Sequence, residues 1–175
     1  MSRPLTIPVL ETDRLILRAP DARDMAPMIG FFMSDHARFY GGPMTKCDAW
    51  YKFSAYVGQW VLRGYGFYAV TLKQDGTTIG MAGPHQPAHF SEPEMSWLLV
   101  SPDYQGQGFA HEACVAVLEH LFNTQGWDSV ISYIDRDNAA SLALAQRLGA
   151  QLDPQAVSPL PGCDGYRHVP TGARA

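Results

Sequence analysis

Between residues 98 and 113 the chain reads Leu-Leu-Val-Ser-Pro-Asp-Tyr-Gln-Gly-Gln-Gly-Phe-Ala-His-Glu-Ala, and no other stretch restricts the possible folds as much. The apolar run ending at Val100 suits a strand, Ser101 and Pro102 interrupt it, glycines follow at 106 and 108, and small and apolar residues then open a helix. Gly106 and Gly108 admit positive φ and put no Cβ in front of the neighbouring amides. A helix start offers unpaired N–H groups and the positive end of its dipole, so this order of elements makes an anion site, with phosphate as the natural ligand. Two common phosphate motifs are excluded by spacing. A Rossmann G-x-G-x-x-G needs glycine at 111, where His111 stands, and a P-loop needs Gly-Lys-Ser or Gly-Lys-Thr, which is absent.

The flanking segments supply a framework for that site. Arg14 to Arg18 reads as a strand bounded by charge and Pro20. Asp21 or Asp24 caps a helix carrying Met25, Met28, Ile29 and Phe32, and Pro27 favours Asp24, since proline is tolerated only in a first turn. Thr45 and Asp48 open a second helix in the manner of a capping box, with Trp50, Phe53, Val57 and Trp60 striping a core face. Phe67–Leu72 and Thr77–Ala82 form a hairpin around Gln74-Asp75-Gly76, and Glu94–Val100 is a third strand. A helix runs from about Gly108 to Thr124, a strand from Ser129 to Ile134, and a helix from the Asn138 cap through Leu148 to Gly149. Strands around 150–152 and 165–169 complete the order. A meander followed by β-α-β-α-β gives an α/β fold with a mixed sheet.

At 175 residues the chain is expected to be one domain spanning 1–175, with the informative region at 11–153 and a late loop and last strand at 154–175. Composition removes several function classes. Thirteen Lys and Arg against seventeen Asp and Glu, with no basic run, argue against a nucleic-acid groove reader. The longest apolar run, Ala113–Leu118, is far short of the roughly 20 residues a membrane helix needs. The N-terminal stretch, broken by prolines and followed by acidic residues, does not read as a secretory signal, so a cytoplasmic protein is expected. Cys47, Cys114 and Cys163 form no C-x-x-C pair, the H-E-x-x-H pattern begun at His111 fails at Val115, and His85 and His89 lack further ligands, so no metal is expected.

Gln105-Gly106-Gln107-Gly108-Phe109-Ala110 resembles the acetyl-CoA signature of the GNAT acetyltransferase superfamily, Gln/Arg-x-x-Gly-x-Gly/Ala, with Leu98-Leu99-Val100 as the Leu-x-Val of the preceding strand. Three further motifs stand in order. Glu11 to Arg18 resembles the opening strand of the RimJ/RimL-like branch, Glu94-Met95-Ser96-Trp97 its Glu-Ile-Gly-Tyr/Trp, and Asn138-x-x-Ser141 through Arg147-Leu148-Gly149 its cofactor-side helix. The sequence departs from the pattern at Gln107, where many members carry Lys or Arg. Ala145 stands where many place a tyrosine acid, and Ala150 replaces a phenylalanine.

The resemblance implies an acetyl-CoA-dependent N-acetyltransferase, with acetyl-CoA as co-substrate and a primary amine, on a peptide or small molecule, as acceptor. Pantetheine would lie between the strands 94–100 and 129–134, and the pyrophosphate on the amides of Gln105 to Ala110. Leu98, Leu99 and Val100 would line the cofactor, with the N–H of Leu99 or Val100 stabilising the oxyanion, and Asn138 and Ser141 would follow the pantetheine arm. Glu94 is the candidate base and Ser141 the candidate acid, with His85, His89 and Glu92 in reserve. The plain structural alternatives are a strand-end carboxylate, a serine bonded to its own helix, and an N-cap asparagine. A non-catalytic acyl-CoA-binding module is the competing function, and monomer and homodimer both stay open.

Overall fold

The structure is a computed structural model that describes residues 6–170. Eight strands form one sheet: β1 (Leu10–Glu11), β2 (Leu15–Arg18), β3 (Tyr68–Leu72), β4 (Thr78–His85), β5 (Glu94–Leu99), β6 (Val130–Asp135), β7 (Gln151–Leu152) and β8 (Cys163–His168). Their spatial order is β1-β2-β3-β4-β5-β6-β8-β7. Every neighbouring pair is antiparallel except β5 and β6, which are parallel and share the single register pair Glu94↔Ile131. The mixed α/β sheet expected from the sequence is therefore present, with the short edge strand β1 added at its start.

Two helical layers cover the faces. α1 (Met25–Phe32) and α2 (Lys46–Arg63) pack on one side, and α3 (Phe109–Glu119) with α4 (Ala139–Arg147) on the other. Period-two alternation along β5 divides its side chains between them. Met95 and Trp97 enter the core under α3, whereas Leu98 joins Phe31, Phe32, Phe53 and Met81 under α1 and α2. Glu94, two pairs of residues before Leu98, accordingly belongs to the α1–α2 face.

Three local features differ from the expectation. Asp21, rather than Asp24, caps the entry to α1: it holds the Arg23 N–H of a 3₁₀ turn, Ala22–Asp24. The Asp24 carboxylate instead binds Arg18, Thr78 and the Asp21 N–H, all from its buried position. In α2, Phe53 and Trp60 are buried as the stripe requires, but Trp50 is 46% exposed and stacks edge-on against Tyr51. The long third helix is α-helical only to Glu119; His120–Thr124 continue as a π turn before Gly126.

Candidate active site

The β5–β6 seam opens because its backbone ladder stops. Past Glu94↔Ile131 no backbone register pair joins the strands. Side chains take up the carbonyls instead: the Ser132 hydroxyl donates to the Met95 oxygen at 2.6 Å, and the Tyr40 hydroxyl donates to the Trp97 oxygen. On its other edge β5 stays paired with β4, and the Val100 N–H donates to the Ile79 carbonyl at 2.9 Å. Alternation then turns the N–H groups of Leu98 and Ser96 towards β4 and that of Leu99 towards the opening. Val100 thus drops out as an oxyanion donor, because its N–H is already used. Leu98 drops out as a lining residue, since its side chain fills the α1–α2 core.

A cavity of about 330 Å³ occupies the opening. It is bounded by Glu94, Ser96 and Trp97 on β5, by Ser132 to Asp135 on β6, by Asn138 and Ser141 at the start of α4, and by aromatic residues from the α1–α2 side. Both candidate catalytic residues, Glu94 and Ser141, therefore reach one space. Asn138 caps α4 as expected, its Oδ1 accepting the Ser141 N–H at 3.2 Å. The Ser141 hydroxyl makes no hydrogen bond to any described residue, so the back-bond to its own helix is not formed. Ala145, where many relatives carry a tyrosine, is fully buried under the sheet and contributes nothing to the cavity.

Glu94 is buried, and its Oε1 lies 3.2 Å from Nδ1 of His85. His85 is the last residue of β4, opposite Glu94 in register, because the strand runs three residues beyond the Ala82 end expected from the sequence. Its ring is enclosed by Tyr56, Phe67 and Phe90. His89 stays at the cavity margin against Phe90, and Glu92 is withdrawn from the site by a two-pronged ion pair with Arg167. Tyr40 and Tyr56 are the residues that sequence reasoning missed. Burial, reinforced by the charge of Glu94, raises both phenols well above their ordinary values, so they remain donors at neutral pH. No local pattern marks them, since they arrive from the α1–α2 side through tertiary packing.

The loop before α3 has the backbone its glycines allow. Gly106 and Gly108 take φ of +73° and +82°. The Gln105 N–H is donated to the Pro102 carbonyl, which narrows the free amides from 105–110 to 106–110, and Phe109 and Ala110 lie in the first turn of α3, where no intrahelical acceptor exists. Gln107 turns its side-chain amide back to the Asp103 carbonyl at 2.6 Å, leaving only its backbone for a ligand. Arg14 holds the loop from below. Its guanidinium lies 4.4 Å over the Phe109 ring, donates to the Gln107 carbonyl and pairs with Glu112, which also accepts from Thr12. The sequence signal for that anchor is Glu112 itself, the acidic residue of the incomplete H-E-x-x-H pattern that begins at His111.

A parallel strand pair opened next to a glycine loop and helix start is the arrangement the GNAT resemblance implies. Residues 14–151 match the acetyltransferase (GNAT) domain family. The chain belongs to that family. An acetyltransferase from Agrobacterium tumefaciens str. C58 is 32% identical and superposes with a TM-score of 0.88 over 96% of this chain and 98% of that one. RimL, a ribosomal α-N-protein acetyltransferase, shares the fold at 16% identity, with a TM-score of 0.74 over 97% and 98% of the two chains. An aminoglycoside acetyltransferase solved in complex with coenzyme A does so at 17% identity, with a TM-score of 0.73 over 89% and 94%. Among the described residues there is no cluster suited to a metal ion and no helix long and apolar enough to cross a membrane.

Proposed function

We propose that the protein is an acetyl-CoA-dependent N-acetyltransferase that moves an acetyl group to a primary amine by direct attack on the thioester, in a cytoplasmic setting that suits its exposed free Cys47. The observation that carries this reading is the convergence of Glu94, Asn138 and Ser141 on the opening between β5 and β6, towards which strand alternation also turns the Leu99 N–H. The fit to acetyl-CoA rests on the free amides of residues 106–110 and on the unpaired seam, which offers the pantetheine an edge to bond. The coenzyme A complex of a protein with the same fold supports it. Asn138, whose side-chain NH₂ lacks a described acceptor, is the contact for the pantetheine amide.

In this reading Glu94 takes up, directly or through water, the proton the amine loses as its nitrogen attacks, and His85 holds the carboxylate in place through Nδ1. The Leu99 N–H stabilises the oxyanion as the carbonyl carbon becomes tetrahedral. Ser141 donates a hydrogen bond to the departing sulfur, as the acid or through a water it holds, and exchange with solvent carries the proton gained by Glu94 away and restores the one given to the thiolate, so that each turnover leaves both residues in their starting states. Initial-rate kinetics at saturating acetyl-CoA test these roles. Glu94→Gln is expected to lower turnover roughly 10²- to 10⁴-fold with acetyl-CoA affinity retained, and Ser141→Ala about tenfold to a hundredfold. Wild-type turnover and pH profile in Glu94→Gln would remove Glu94 from the chemistry.

A further inference from the structure

The cavity beside β5 is lined by groups of opposite charge. Lys52, on α2, lines it together with Glu94. The Lys52 ammonium donates to the Tyr40 carbonyl at 2.6 Å and lies 5.4 Å from the Phe32 ring centroid, yet no carboxylate among the described residues lies within ion-pair distance of it. Two of its three donors therefore remain for whatever fills the cavity. Burial pulls Lys52 below its ordinary pKa, while the charge of Glu94 acts in the opposite sense, which places the two groups within reach of each other's field but not in contact. A half-buried cation without an anion is a costly arrangement unless a ligand supplies the partner.

The same cavity is lined by the aromatic residues Phe39, Tyr40, Tyr56 and Phe90. The volume of about 330 Å³ is at the lower end of small-molecule pockets, which run from about 300 to 1,000 Å³. The remaining carboxylate on the cavity, Asp135, is held at the α4 end, where its Oδ1 accepts the Asp137 N–H beside Asn138. Resting on the N-acetyltransferase reading above, we propose that the acceptor is a free α-amino acid with a large apolar side chain. Its carboxylate is bound by Lys52, its amine is presented to Glu94, and its side chain lies among the aromatic rings. Lys52 is then the residue that sets specificity: it selects an anionic group beside the amine and works against polycationic acceptors.

The test compares phenylalanine, leucine, methionine and tryptophan with their carboxamides and with the corresponding decarboxylated amines, each assayed for thiol release and N-acetyl product with acetyl-CoA. The α-amine of a carboxamide is less basic, and that of a decarboxylated amine more basic, than that of the amino acid. A preference for the acid over both cannot come from amine basicity. The expected result is a kcat/KM for at least one free amino acid about tenfold to a hundredfold above both of its analogues, collapsing towards unity in Lys52→Met. The comparison is a ratio within each protein, so partial loss of folded variant does not affect it. Equal or better use of the carboxamides or decarboxylated amines by the wild type overturns the inference and leaves N-acetyl transfer standing. An acid preference that persists in Lys52→Met overturns the assignment to Lys52. Absence of any N-acetylated product from every acid and analogue, with acetyl-CoA binding intact, overturns the inference and counts against the N-acetyltransferase reading as well.

Discussion

His168, 2% exposed, ties three strands together through one hydroxyl. Ser132 on β6 gives its proton to the Met95 carbonyl on β5, so its oxygen accepts from Nε2–H of His168 on β8 at 2.9 Å. That tautomer leaves Nδ1 bare, and no described group reaches it. Protonating Nδ1 would bury an unpaired charge, and burial depresses the imidazole pKa to about 4. The unfolded chain therefore binds the proton first as pH falls from about 6.5, and stability contributed above that point is lost progressively down to about pH 4. His168 is expected to cost about 2 kcal/mol of unfolding free energy between pH 7 and pH 5. Urea titrations at the two pH values should show that difference shrinking in His168→Gln by a similar amount. Parallel pH dependence in the two proteins would mean that the imidazole is charged, or solvated, in the folded state.

At the scale of elements, the glycine loop was legible because its geometry is dictated locally. Positive φ at 106 and 108 is a property of those residues, and the alternation that puts Glu94 and Leu98 on one face follows from the strand alone. The Asn138 cap and the Thr45 hydroxyl accepting the Asp48 N–H were read from the same short range of sequence. What lay beyond reach was the approach of one element to another. Tyr40 meets Trp97 across 57 positions, and the Arg14–Glu112 anchor spans 98, so no window of sequence contains either pair. The expected strand Thr77–Ala82 stops short of His85 because Pro84 and Pro87 are loop signals, although Pro84 is tolerated inside β4, which runs on to His85. Val100 was misassigned because only the register with β4 reveals which amides the opening leaves free. The loop itself gives a direct prediction. At Gly108, φ is +82° and a Cβ would meet the Arg14 guanidinium at 3.4 Å, so Gly108→Glu combines backbone strain with a negative charge at the anion site. Calorimetry on the folded variant should show acetyl-CoA binding lost, and an unchanged affinity would separate the loop from the cofactor.

For the whole molecule, the sheet works as a frame of antiparallel pairs, interrupted by one register shift between β3 and β4 at Val70/Thr71, around one short parallel seam. The α1–α2 layer closes one side of that seam with aromatic rings and Lys52, and α3 and α4 bring the amide loop and Ser141 to the other. The same frame would suit a protein that only binds acyl-CoA, so binding alone does not establish the reaction. The deciding measurement is the fate of an isotopically labelled acetyl group, carried in by acetyl-CoA and followed by mass spectrometry in the presence of a mixture of primary amines. The account predicts enzyme-dependent transfer of the label to an amine nitrogen, one mole for each mole of free thiol released. Acetyl-CoA that binds at the loop but keeps its label, with neither thiol nor acetylated amine formed above the uncatalysed rate, would contradict it.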